Sequence, residues 1–368
     1  MFDFIPIYLY TPVFNYLILI LVLGVFVKTQ AQDIFLKQAQ ESYIGIVLCF
    51  VMILYMGLRP ISGYYFGDTG NYASSYYFMQ SNLHNAYDIF GDRDWVFNGL
   101  MRLFAFFSDV HGFFVFCAAV YVLSIYVAMR NFFGYRYYIP LIVAMSMFTF
   151  WSYGTNGIRN GMAASVAILA LSYRPRYILM LILSVIAVGI HTSMGITVVS
   201  AVAALYVRNP KIYLGVWLLS VMSSLFRGAY LANLITATGF VGMDTITSYM
   251  NNTDFNYQFS QLGFRWDFLL YSSIPIVVGC CFIFLYNYKD TIYIWLFNIY
   301  LVTNAFWVIF IESAFSNRFA QISWFIMPLV LIYPFMSQRF WSDQSKKVGI
   351  AVVIFYIFTF YSNIIQGY

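Results

Sequence analysis

Three arginines in this sequence stand where the chain's patterning predicts a position in or beside the first turn of a helix, which disfavours a cation. They are Arg159, Arg265 and Arg318. A helix N-terminus already carries roughly half a positive charge, which favours anions and acidic side chains there. Backbone N–H groups at helix starts and planar guanidinium groups both suit phosphate. We therefore expect a bound anion among these arginines, with Arg59, at the end of an apolar run, as a fourth member.

A more ordinary interpretation is open for each arginine taken alone. Each guanidinium can reach towards lipid headgroups or pair with a local acid. Asp267 stands two residues after Arg265, and Glu312 precedes Arg318 by six residues. Repetition of the pattern at several helix starts favours the anion site.

Two residues are candidates for a general base near this anion site. Asp68 follows Arg59 within one polar stretch that also holds Thr69 and Tyr72, and it is the leading candidate. His191, between two apolar runs, is the second. A carboxylate among arginines is a weak base, so both assignments stay open, and Asp68 can instead orient Arg59 or bind a hydroxyl of a ligand. The sequence shows no zinc-type spacing, so we expect a site without metal or cofactor.

Composition sets the class of protein. The chain has 368 residues, of which 62% are apolar, 22% aromatic and 9% charged, and its mean hydropathy is +0.76. Soluble domains carry about 25% charged residues, so these values predict an all-α, polytopic integral membrane protein. The net charge of +5 comes from scattered loop residues, and no basic cluster indicates nucleic-acid binding.

Apolar runs place the membrane helices. A hydrocarbon core about 30 Å thick needs roughly 17 to 25 helical residues. About twelve runs qualify, namely 7–27, 42–58, 110–130, 137–153, 157–173, 177–190, 191–207, 211–227, 267–287, 291–311, 317–336 and 348–365. The segment 94–107 is shorter and predicts an interfacial or re-entrant helix. We expect one integral domain over residues 1–368, a permanent first span and no removable signal peptide.

Basic residues predict the orientation. The connections 28–41, 130–136, 174–176, 208–211, 288–290 and 337–347 together contain every lysine. The positive-inside rule makes that side cytoplasmic. The polar loops 59–109 and 228–266 then lie on the outer side, as do both termini. Arg176 and Arg208 both prefer the cytoplasm, so the 31 residues between them predict a tight hairpin that turns at His191, below the outer surface.

These residues resemble the EpsG-like branch of the Wzy-type polysaccharide polymerases over most of the chain from residue 58 to about 334. The resemblance rests on the order of several short motifs: Leu58-Arg59 followed by Gly67-Asp68-Thr69 and Tyr72, then Asn156, Arg159 and Ala163, then His191-Thr192-Ser193, then Phe264-Arg265 and Asp267, then Ser316-Asn317-Arg318-Phe319 with Trp324 and Pro328. Asn160 departs from the family pattern, where glutamine is common. The 228–262 stretch shows no family pattern.

The resemblance implies a bacterial inner-membrane enzyme with a glycosyltransferase C-type (GT-C) fold and a periplasmic active site. Such enzymes transfer a glycan chain from undecaprenyl pyrophosphate to a hydroxyl of the next lipid-linked repeat, together with a chain-length-determining co-polymerase. We then expect Arg159, Arg265 and Arg318 to stabilise the departing pyrophosphate. The expected substrate contacts are Arg59, Thr69, Tyr72, Asn156 and Asn317.

Rival functions are a flippase for lipid-linked oligosaccharides, a ligase that moves the finished glycan to another acceptor, and a membrane acyltransferase. A flippase needs polar groups at several membrane depths, whereas the polar cluster here lies on one side. A ligase would share the arginine site, and sequence logic leaves it open.

Overall fold

The computed structural model describes residues 5–35, 41–83, 91, 93–227, 263–313 and 316–365. Every regular element in these ranges is helical, which confirms the all-α prediction. In chain order the helices are α1 (Tyr10–Ala31), α2 (Glu41–Gly57), α3 (Gly63–Phe66), α4 (Thr69–Ser81), α5 (Trp95–Phe107), α6 (Val110–Phe133), α7 (Tyr138–Ser146), α8 (Phe148–Thr155), α9 (Ile158–Ser172), α10 (Tyr177–Ile190), α11 (Met194–Tyr206), α12 (Pro210–Arg227), α13 (Trp266–Cys280), α14 (Thr291–Ile309), α15 (Ser316–Trp324), α16 (Met327–Ser337) and α17 (Gln344–Phe360).

Five helical stretches in the described residues are long and apolar enough to cross a membrane. They are Ile7–Ala31, Val110–Arg136, Trp266–Leu285, Thr291–Ile309 and Ser316–Ser337, of 19 to 27 residues each. The others are shorter, and two predicted runs are interrupted, at Met147 between α7 and α8 and after Trp324 between α15 and α16. The membrane class predicted from composition is supported, while the number of twelve spans stays a prediction.

The segment 59–109 is largely helical in its described part, rather than an open loop. It contains α3, α4 and the 13-residue α5, which corresponds to the predicted short helix over 94–107. The second long connection, 228–262, lies outside the described residues.

The chain divides into two compact units. The first comprises the residues up to Thr192 together with those from Phe335 onward, and the second comprises Ser193–Pro334. In the first unit α6 packs against α2 and α9, α9 packs against α10, and α1 packs against α17. Aromatic side chains fill this core: Phe14 stacks on Trp151 at 4.5 Å, and the Tyr121 hydroxyl donates to the Phe150 carbonyl at 3.0 Å.

Buried polar bonds fix the core of the second unit. Asn304 accepts from Trp217 Nε1 at 2.8 Å and donates to Ser323 Oγ at 3.0 Å. Trp324 Nε1 donates to Ser272 Oγ at 2.6 Å. A buried polar group without a partner is costly, so these bonds hold α12, α13, α14 and α15 in one arrangement.

The backbone breaks where the sequence predicted a turn. Helix α10 ends at Ile190, His191 is extended (φ −150°, ψ 122°), and α11 begins at Met194. With 14 residues, α10 is about 21 Å long at 1.5 Å per residue. The break at His191 is confirmed.

Candidate functional site

Arg59 lies inside the first unit with no exposed surface. Its Nη2 donates to Thr69 Oγ1 at 2.9 Å and to the Thr155 carbonyl, while Nη1 donates to the Met56 carbonyl. The guanidinium also lies over Phe114, 5.3 Å from the ring centre. These contacts join the end of α2, the start of α4 and the end of α8.

This environment gives Arg59 a positioning role in the structure. Burial lowers the pKa of Arg59 to about 10, so it remains charged at neutral pH. No carboxylate in the described residues forms an ion pair with it, and carbonyl and hydroxyl oxygens hold the charge instead. The substrate contacts expected for Arg59 and Thr69 stay predictions, and both residues are fully buried.

Asp68 lies at the turn into α4, next to Asn156. Its backbone N–H donates to Asn156 Oδ1 at 2.8 Å, and its carboxylate accepts from Asn71 Nδ2 at 3.5 Å. Gly67 makes the approach possible, because its φ is +49° and a Cβ there would lie 2.3 Å from Asn156 Oδ1. Asn156 therefore shapes the turn that carries Asp68.

A buried carboxylate, Asp94, joins two of the predicted site residues. Its Oδ2 lies 2.9 Å from Arg159 Nη1, and its Oδ1 lies 3.6 Å from His191 Nδ1. Oδ1 also accepts from the Thr192 backbone N–H at 3.1 Å. The Asp94 side chain is 10% exposed, against 34% for Arg159 and 20% for His191. We name these three residues the Asp94 cluster.

Three helix ends build the Asp94 cluster. Asp94 precedes α5, Arg159 is in the first turn of α9, and His191 follows α10. An aspartate before a helix usually accepts from its own helix, but the Asp94 side chain makes no such capping bond. Gly189 brings the elements together, because a Cβ there would lie 2.5 Å from Val96 Cγ2.

Aromatic rings line one side of the Asp94 cluster. The Arg159 guanidinium lies 6.0 Å from the centre of the Phe97 ring, and Tyr72 meets the same ring edge-on at 5.7 Å. The Phe97 ring is buried. Arg159 and Tyr72 therefore both contact Phe97, and the substrate contact expected for Tyr72 stays a prediction.

Arg159 keeps donors for a ligand. Nη1 bonds to Asp94, and Nε is buried without a hydrogen-bond partner among the described residues. The side chain is one-third exposed. A guanidinium with five N–H donors can therefore hold Asp94 and a phosphate oxygen together.

The second unit holds the other two predicted arginines. Arg265, directly before α13, pairs bidentately with Asp267, with Nε–Oδ1 at 2.9 Å and Nη2–Oδ2 at 2.6 Å. It also lies 3.6 Å from the centre of the Phe268 ring. The local pairing that sequence left open is therefore present for Arg265. Arg318 is half-buried in the first turn of α15, beside the exposed Asn317.

Sequence reasoning missed Asp94. It identified the short apolar helix beginning there but assigned the acid no role, since Arg159 and His191 lie 65 and 97 residues further along the chain. The available signal was an aspartate at the start of a short apolar helix, in a chain with few acids. In the described residues no group of three or more His, Cys, Asp and Glu side chains could hold a metal ion.

Comparison with protein-family models gives one finding. The model described as the EpsG family matches residues 42–367. That range includes the Asp94 cluster, Arg59, Arg265 and Arg318. No curated protein and no solved structure matches the chain.

Proposed function

Because this chain belongs to the EpsG family, we propose that it polymerises a bacterial polysaccharide from lipid-linked repeats. The donor in this proposal is a glycan on undecaprenyl pyrophosphate, and the acceptor is a hydroxyl of another lipid-linked repeat. The reaction takes place at the periplasmic face of the inner membrane, in a GT-C-type protein of about twelve spans. The observation that carries the proposal is the Asp94 cluster, which combines a cation with spare donors and an oriented imidazole.

Arg159 acts on the leaving group. When the bond between the anomeric carbon and the pyrophosphate oxygen breaks, negative charge develops on that oxygen. A pre-oriented guanidinium stabilises this charge more than it stabilises the ground state, which accelerates the reaction. Asp94 fixes the guanidinium through Nη1. The remaining N–H groups can then face the pyrophosphate, and no further side-chain entropy is lost at the moment of transfer.

His191 acts on the acceptor. The carboxylate of Asp94 near Nδ1 favours the tautomer that carries its proton on Nδ1, so Nε2 takes the proton of the attacking hydroxyl. The acceptor oxygen then bonds to the anomeric carbon, and the pyrophosphate leaves with its lipid. The 3.6 Å separation is longer than a hydrogen bond, and such contacts often tighten when substrate binds. Asp68 remains the other candidate base.

The proposed contributions of Arg265, Arg318 and Asn317 to the same pyrophosphate stay predictions. A test is to compare Arg265→Ala and Arg318→Ala alone and combined with Arg159→Ala. Residues that act on one phosphate give losses that do not add, whereas independent residues give additive losses. A co-polymerase is the expected protein partner.

The principal test replaces Arg159 with alanine in cells that make the glycan. If the chain is a polymerase, the ladder of surface glycan on a gel should collapse to a single repeat. Arg102→Ala is a matched control, because Arg102 is an arginine of α5 that donates to the Leu83 carbonyl and lies outside the Asp94 cluster. The amount of each variant in the membrane is measured by immunoblot.

Other outcomes identify the rival functions. Loss of every surface glycan form would indicate a flippase, which is the alternative transporter function. Accumulation of lipid-linked polymer would indicate a ligase. An unchanged ladder would remove Arg159 from the mechanism.

A further inference from the structure

An open groove lies at the far ends of two long helices of the first unit. Its wall includes Lys28 in the last turn of α1, Asp33 just after that helix, and Arg136 in the turn after α6. The function proposed above uses none of these residues.

The groove is remote from Arg59. The start of α1 is on the Arg59 side, since Tyr10 meets Phe66 edge-on at 5.8 Å and Phe66 lies 5.8 Å from the Arg59 guanidinium. Lys28 is 18 residues further along the same helix. At 1.5 Å per residue that separation is about 27 Å, so one phosphate group cannot contact both Arg59 and Lys28.

The groove carries an excess of positive charge. Lys28 and Arg136 line it, and Arg339 pairs with its carboxylate, Asp33. The hydrogen bond from Arg339 holds the pKa of Asp33 below its usual range, so Asp33 is ionised at neutral pH. Three cations against one carboxylate give a formal charge of +2.

Arg136 is held over the groove rather than extended into solvent. Its guanidinium lies 5.0 Å from the centre of the Phe35 ring and 5.5 Å from that of Tyr135. Arg339 lies 5.0 Å from the same Phe35 ring. Arg136 Nε is buried and has no hydrogen-bond partner among the described residues. A guanidinium with a fixed plane and unused donors is prepared for an anion with several oxygens.

The remaining wall is apolar. Val25, Ile34, Ile139 and Met336 line the groove beside the cations. A ligand with a phosphate at one end and hydrocarbon beyond it matches both parts. Basic pockets between membrane helices bind the headgroups of anionic lipids in the same way.

We propose that this groove binds the phosphate headgroup of an anionic phospholipid, with Arg136 and Lys28 at the phosphate. The negative charge of Asp33 reduces the net positive charge of the site by one, and its ion pair with Arg339 holds that arginine near the end of α1. The site is separate from the pyrophosphate contacts of Arg159 and does not depend on the reaction catalysed.

The experiment is native mass spectrometry of the purified full-length chain with phosphatidylglycerol and, separately, with phosphatidylethanolamine. We expect about a tenfold preference for phosphatidylglycerol, which corresponds to a difference of about 1.4 kcal/mol in binding free energy. Arg136→Gln and Lys28→Gln should each remove most of this preference. Asp33→Asn should strengthen phosphatidylglycerol binding, because it removes the opposing charge.

Arg130→Gln is the matched control. Arg130 is in the last turn of α6, lies over Tyr126 and Tyr137 at 5.8 Å, and does not line the groove. Its loss should leave lipid binding unchanged. Equal binding of the two lipids, or an unchanged preference in both Arg136→Gln and Lys28→Gln, would overturn the proposal. Displacement of phosphatidylglycerol by millimolar inorganic phosphate would assign the groove to a soluble phosphate compound instead.

Discussion

The Asp94 cluster and the Arg265–Asp267 pair both combine arginine with a carboxylate, yet they differ in what the arginine has left to offer. Asp94 is shared by Arg159, by His191 and by the N–H of the adjacent Thr192, so it joins two distant parts of the chain. Asp267 takes two donors of a single arginine two residues away, and Phe268 covers that guanidinium. The first arrangement leaves Arg159 with spare donors. The pairing with Asp267 occupies the Nε and Nη2 donors of Arg265.

Burial sharpens the difference. The Asp94 carboxylate is 10% exposed, whereas that of Asp267 is 46% exposed. An ion pair screened by water contributes little, while charges in a dry environment interact strongly. We therefore expect substitutions in the first unit to affect glycan transfer much more than the corresponding substitutions in the second.

The largest effect is expected for Asp94→Asn. The amide is similar in size, but it removes the negative charge that orients Arg159 and the imidazole of His191. Loss of a positioned general base typically reduces a rate by about 10²- to 10⁴-fold, so we expect chain elongation to fall by about 100-fold. The measurement is the length of polymer made per amount of enzyme in the membrane.

Asp68→Asn is the comparison variant for that measurement. If His191 is the base, Asp68→Asn should retain more activity than Asp94→Asn. The opposite order, with Asp94→Asn nearly as active as the unmodified enzyme, would transfer the base assignment to Asp68.

A smaller effect is expected for Gly189→Ala. The new Cβ would lie 2.5 Å from Val96 Cγ2 and 2.9 Å from the Trp95 ring, so the start of α5 must shift. Asp94 directly precedes that helix, and a displacement of about 1 Å costs up to about 100-fold in a positioned site. Since Val96 and Trp95 can adjust, we expect about a tenfold loss of elongation.

Gly195→Ala is its control. Gly195 is in the first turn of α11, and nothing lies within 4 Å of the position of its Cβ. Alanine is the better helix former there, by about 1 kcal/mol, so protein level and elongation should be retained. Equal losses in the two variants would mean that the close approach of α5 and α10 does not position the site.

The two regions also differ in how much of their structure local sequence could predict. Helical periodicity and apolar runs placed Arg159 and Arg318 in first turns and Arg265 directly before a helix, and they placed a break at His191, because these features depend on neighbours a few residues away. The Arg265–Asp267 pairing was an alternative that the sequence left open, for the same reason. The link from Asp94 to Arg159 and His191 depends on how α5, α9 and α10 pack, which no local pattern encodes.

Arg59 shows the same limit in another form. Its position at the end of an apolar run predicted a fourth arginine at the anion site, and that contact stays a prediction. Its complete burial depends on Thr69 and on the Thr155 carbonyl, 10 and 96 residues away. Whether an arginine faces a ligand or holds the protein together is decided by such distant partners.

The smallest effect is expected for Asp267→Asn, which tests the second half of the comparison. The pair is partly exposed, and exposed ion pairs are worth about 0 to 1 kcal/mol, so the free energy of unfolding should fall by less than about 1 kcal/mol. The released guanidinium of Arg265 stays over Phe268, so its cation remains in place. Elongation should therefore stay within about twofold of the unmodified enzyme, measured on the same gel as Asp94→Asn. A tenfold or larger loss would show that Asp267 orients Arg265 as Asp94 orients Arg159, and the two regions would then be equivalent in function.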